Sequence, residues 1–181
     1  MNWNNFSNPE KWILIGIPVL FFIGSLMHFI YDLTGKCYFI GAFSPINESV
    51  WEHSKMIVIP MIAWWSLYYL FCGDTYSIDR DKWFVSLIIS LISSIIIMIA
   101  FFYAYSSAFG CELLWIDILD LLLSLAIGQF LGLHYYNYGP AININISLII
   151  LVAIVALFII FTFYPPHIPM FKDSVTGKYG I

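Results

Sequence analysis

Charge is scarce in this sequence. Only 10% of its 181 residues are Asp, Glu, Lys or Arg, against roughly 25% in a soluble domain. With 61% hydrophobic residues and a mean hydropathy of +0.88, that shortage leaves a membrane protein with little soluble mass. Basic residues number 7 against 11 acidic ones, so the chain has no basic stripe for nucleic acid, which is not expected as a partner. Cysteine is also sparse: Cys37, Cys72 and Cys111 lack a metal-binding spacing such as Cys-x-x-Cys and read as free thiols. There is no Gly-x-Ser-x-Gly elbow, no His-Glu-x-x-His and no Walker loop. No small-x-small cleavage site follows the first apolar run, which is too long for a signal peptide, so the N-terminus is expected to be retained. No internal repeat is visible, which weighs against a transporter of the inverted-repeat plan.

What the chain does have is long apolar runs. A spanning helix needs about 20 mostly apolar residues. Five stretches qualify, at about 12–31, 56–72, 83–109, 113–134 and 142–164. Open sheets cannot cross hydrocarbon, so the spans are helices. The expected fold is all-α, a polytopic bundle of five transmembrane helices forming one domain over 1–181. Tryptophans cluster near the run ends, as an interfacial belt would. Five spans put the termini on opposite sides, the N-terminal side A and the C-terminal side B. Lys11, Arg80 and Lys82 fall on side A, and Lys36, Lys55, Lys172 and Lys178 on side B. Three against four does not set the orientation by the positive-inside rule. Heavy use of isoleucine and asparagine points to an AT-rich bacterial genome, and so to multi-pass insertion in a bacterial cytoplasmic (inner) membrane.

Side B collects the chemistry. His28, Asp32, Glu48, Glu52, His53, Asp117, Asp120 and His167 all map there. Ionisable groups near hydrocarbon are costly and read by default as a functional site. His28 and Asp32, four apart on a helix, differ by about 40° in direction and share a face with Ser25. That pairing suits a metal ligand with its orienting partner, or equally a self-satisfied hydrogen-bonded pair. Glu48, Ser49, Glu52 and His53 lie within six residues. A capped helix start accounts for the acids but not for His53. Ser44-Pro45 has the form of an N-cap and first turn, so the second helix is expected to begin there. Asp117 and Asp120 diverge by about 60° and can both face the bundle interior. Gly128 and Gly132 form a small-x-x-x-small pair for close packing. His167, between prolines, is held near side B. The tail from His167 to Ile181, carrying Phe171 and Tyr179, is expected to fold back over that face. His134 falls at the opposite end and is left out.

Three stretches carry a resemblance: His-Phe-Ile-Tyr-Asp (28–32), Phe-Ser-Pro-Ile-Asn-Glu-Ser-Val-Trp-Glu-His (43–53) and Tyr-Pro-Pro-His-Ile-Pro (164–169). They resemble an uncharacterised bacterial family of five-span membrane proteins, the domain-of-unknown-function family numbered 6512. That resemblance implies the architecture and no activity. A looser similarity is to membrane hydrolases of the alkaline ceramidase and adiponectin-receptor kind, which place three histidines, an aspartate and a serine around zinc. This chain departs from them in having five spans rather than seven and no His-x-x-x-His near its C-terminus.

The leading expectation is a metal-dependent hydrolase in the membrane, acting on a lipid or lipid-linked substrate at side B. Its cofactor would be zinc or another divalent metal. The metal ligands would be His28, His53 and His167, with Asp117 or Asp32 as ligand or orienter. Glu52 would be the base, with Glu48, Asp120 and Ser49 as further catalytic candidates. The alternative is a small ion- or solute-handling protein, oligomeric, with Asp117 and Asp120 as cation-binding carboxylates. A third reading is non-catalytic, with these groups knitting helices and loops together. Membrane lipids are the expected partners in all three.

Overall fold

A computed structural model describes residues 3–181. Six α-helices follow in order: α1 (Asn8–Leu33), α2 (Tyr38–Gly41), α3 (Val50–Cys72), α4 (Arg80–Phe109), α5 (Leu114–Tyr138) and α6 (Ile144–Phe163). All but the four-residue α2 are long and apolar enough to cross a membrane. Single 3-10 turns at Trp3–Asn5 and Pro169–Phe171 flank the bundle. The helices start where the sequence offers caps. Ser7 and Glu10 form a capping box on α1, with Pro9 in the first turn. Asp79 accepts from the backbone N–H groups of Asp81 and Lys82 at the start of α4. Gly110, at φ 68°, adopts the left-handed conformation that closes α4.

The second long helix begins at Val50 rather than at Ser44-Pro45. Ser44 ends the preceding turn instead, its hydroxyl donating to the Ile40 carbonyl at 3.0 Å. The cap is Ser49, whose side chain accepts from the Glu52 N–H at 3.3 Å. Ser49-Val50-Trp51-Glu52 is itself a Ser-x-x-Glu pattern, a local signal that outcompetes Ser-Pro.

Close backbone approach organises the bundle. A Cβ at Gly128 would sit 1.9 Å from Ser94 Oγ and 2.6 Å from the Ser90 carbonyl oxygen, so α4 and α5 meet at near backbone contact. A Cβ at Gly24 would lie 2.6 Å from the Met56 carbonyl oxygen, which brings α1 equally close to α3. Most of the described tryptophans pack within the bundle. Trp65 and Trp83 are fully buried, and Trp83 donates to the Trp65 carbonyl at 3.0 Å. Trp12 and Trp64 stack at 3.9 Å between ring centres, each indole N–H reaching the other's carbonyl. Only Trp3 and Trp115 are exposed among the described tryptophans. Side A is tied by Asn137 to Glu10 (2.8 Å), Lys82 to the Asn137 carbonyl (3.2 Å) and the Ile144 N–H to Asp81 (3.0 Å). On side B the tail folds back. Phe171 is buried against Trp51 and Phe161.

Candidate metal centre

α1 runs from side A to side B and delivers His28 near its last turns. The chain then crosses side B through α2 and returns as α3, which presents His53 in its first turn. Glu48 stands just before the Ser49 cap, so its side chain is free of the helix and turns inward. The three meet. Glu48 Oε1 lies 3.5 Å from His28 Nε2, and Oε2 lies 3.2 Å from His53 Nε2. The two imidazoles stack with centroids 5.3 Å apart and planes 27° apart. One ligand atom from each residue falls within 4.8 Å of the others. Ligands about 2.1 Å from a tetrahedral zinc stand roughly 3.4 Å apart. The two Glu48 separations, one to each carboxylate oxygen, are near that figure, and a set of one atom per residue falls within 4.8 Å.

All three side chains are partly shielded, at 29% exposure for His28, 22% for His53 and 42% for Glu48. The hydrogen bond with His53 holds the Glu48 carboxyl below its ordinary value of 4.5. Desolvation opposes that shift, while the His53 and His28 charges reinforce it. Glu48 is thus held ionised by imidazole nitrogens that carry protons toward it, and a metal would have to displace those protons to bind.

The triad lines a cavity of about 420 Å³ bounded by α1, α3, α4 and α5. Asp117 and Asp120 line the same cavity from α5, and Ser25 from α1. Asp120 is only 2% exposed and accepts from Ser124 Oγ at 2.9 Å. Tyr105 of α4 donates its hydroxyl to Asp117 in a short hydrogen bond. Apolar side chains make up the remainder of the lining. Among them Phe22 and Phe29 of α1 and Leu114 and Ile118 of α5 are exposed on the outer surface of the bundle. The cavity therefore reaches the face that lipid would cover.

Other expected site residues are placed elsewhere. Asp32 is exposed, 3.9 Å from Lys36. His167 is exposed and packs its ring on Tyr179 at 4.6 Å, outside the cavity lining. Ser49 is committed to capping α3. Glu52 is buried outside the cavity, its carboxylate taken up by Lys55 Nζ (2.7 Å), the Ile46 N–H (3.1 Å) and the Thr162 hydroxyl (3.3 Å). Lys55, which the topology assigns to the charged surface of side B, is fully buried with it. Its ammonium also donates to the carbonyls of Gly41 (2.7 Å) and Ser44 (3.3 Å). Glu52 and Lys55 thus pin the loop that leads to Glu48. Their three-residue spacing on one helix was the signal for this pairing. Tyr105 had no comparable signal, because its partner lies across a helix turn-around. Cys37, Cys72 and Cys111 are unpaired.

A family model described as a family of unknown function (DUF6512) matches residues 1–181, and the chain belongs to that family. No curated protein and no solved structure matches it.

Proposed function

We propose that this protein is a metal-dependent hydrolase of a lipid or lipid-linked substrate, working at the side B face of the membrane. The observation that supports it most is the convergence of His28, Glu48 and His53 on one point at the wall of a cavity that also holds two carboxylates. In this reading Glu48 replaces His167 as third ligand, and Asp120 or Asp117 replaces Glu52 as base. Three protein ligands leave a fourth position for water, the arrangement of catalytic zinc. A divalent metal held by His28, Glu48 and His53 would lower the pKa of that water toward neutrality. For a lipid ester, a water oxygen would bond to the carbonyl carbon as the bond to the leaving alkoxide breaks. The water proton passes to an Asp carboxylate and from there to the leaving oxygen. The exposed apolar rim of Phe22, Phe29, Leu114 and Ile118 favours a substrate that arrives sideways from the bilayer.

Two observations favour one-sided access over passage of ions. Asp120 lies about 9 Å from the start of α5, a helix about 37 Å long, which puts it well short of mid-span. Beyond it, α4 and α5 approach closely at Gly128, where an added Cβ would lie 2.6 Å from the Ser90 carbonyl oxygen.

The test is metal analysis of protein purified in detergent and loaded with zinc, manganese or cobalt. About one ion per chain is expected, with loss of binding in H28A and H53A and loss of hydrolysis of membrane lipid esters. Absence of stoichiometric metal under all three loadings sinks the proposal.

A further inference from the structure

Glu48 has no helix of its own to hold it. It sits in the irregular segment between α2 and α3, yet it must present a carboxylate to imidazoles from two different helices. Its backbone is held from the far end of the chain. Asp173 Oδ1 accepts from the Glu48 N–H at 3.3 Å, and Ser174 Oγ donates to the Glu48 carbonyl at 3.4 Å. The neighbouring Asn47 amide donates to the Gly180 carbonyl at 3.4 Å. The Glu48 peptide groups on both sides are therefore satisfied by a tail more than 120 residues away in sequence.

The tail is itself built to hold Asp173 still. Its carboxylate also accepts from the Val175 N–H at 3.1 Å and from the Thr176 hydroxyl. The Asp173 N–H donates to the Lys178 carbonyl at 2.9 Å, next to the antiparallel bridge between Lys172 and Tyr179. Gly177, at φ 71°, supplies the left-handed residue that this tight turn needs. Buried Phe171 anchors the turn to Trp51, three residues beyond Glu48. Asp173 is 6% exposed, an unusual position for a carboxylate in a terminal tail.

We propose that the C-terminal tail is a working part of the metal centre, with Asp173 the positioning residue that fixes Glu48 between His28 and His53. The inference rests on the metal reading above. Groups that orient a ligand matter nearly as much as the ligand, and removing one typically costs about 10–100-fold in metal affinity.

Cobalt(II) titration followed by its visible absorption tests this on the full chain in detergent. D173A is expected to weaken cobalt binding about 10–100-fold and to alter the absorption band. D173N retains Oδ1 as an acceptor and is expected to restore most of the affinity. Should D173A not fold, S174A, which removes the second contact to Glu48, is expected to weaken binding in the same direction. Unchanged binding in D173A, equal impairment in D173A and D173N, or unchanged binding in S174A where D173A does not fold, would overturn the positioning role while leaving the triad as a metal site. A wild-type protein that takes up no cobalt would remove the metal reading, and the positioning role with it.

Discussion

Replacing Lys55 by Met gives the sharpest stability test of this architecture. Met fills a similar volume but has no charge and no donor. Lys55 is 0% exposed and Glu52 2%, so water cannot substitute for either partner. Every proton of the ammonium is used, one on Glu52 and one each on the Gly41 and Ser44 carbonyls. K55M therefore strands a buried carboxylate and leaves two loop carbonyls unpaired. Breaking a buried ion pair by deleting one partner costs about 3–5 kcal/mol. For a chain of this size that corresponds to a fall in the thermal midpoint of about 6–20 °C. E52Q should cost a similar amount, because it leaves the ammonium buried without a countercharge. The double variant E52Q/K55M removes both charges, so its cost should stay near that of either single change, a coupling energy of about 3 kcal/mol. Unfolding in mixed micelles, followed by the fluorescence of the seven tryptophans, measures all four proteins. Either a K55M cost below about 1 kcal/mol or strictly additive single effects would refute the reasoning, since both require the two charges to be solvated independently.

Two further outcomes are expected. G128A places its methyl group against Ser94 Oγ and the Ser90 carbonyl, and should destabilise the α4–α5 contact by about 1–3 kcal/mol, measured in the same unfolding assay. Acid should loosen the tail from the metal-free protein. Burial pushes the Asp173 carboxyl up, but hydrogen bonds from Thr176, Val175 and Glu48 outweigh it and hold the group below its ordinary 3.8. Glu48 is likewise held below 4.5. Groups lowered in the folded state contribute stability that is present above their ordinary values and lost as pH falls through the lowered ones. Comparing thermal midpoints of wild type and D173N between pH 6 and 3 should therefore show a wild-type advantage that shrinks below about 4. A difference that stays constant with pH would contradict this.

The five spans were legible because length and hydropathy are local properties, and hydrocarbon leaves the backbone no alternative to a helix. The starts and ends shifted by a few residues, as capping and fraying dictate. The gathering of His28, Glu48, His53, Asp117 and Asp120 at one end of the bundle was legible for the same reason, since alternating direction follows from counting helices. The roles of individual residues were not. Glu48 and Glu52 are four apart and look equivalent in the sequence. One lies before the cap and faces two imidazoles, while the other lies in the first turn and faces Lys55. That difference depends on Ser49, rather than Ser44, taking the cap.

Membership of the bundle class, the count of crossings and the crowding of acids and histidines at one face belong to the sequence by itself, because each depends on neighbours a few positions away. The meeting of His28, Glu48 and His53 and the grip of Asp173 on Glu48 belong to the tertiary structure alone. They join residues separated by up to 125 positions. No periodicity relates them, and only the packing angles of α1 and α3 and the path of the tail decide which carboxylate reaches which partner.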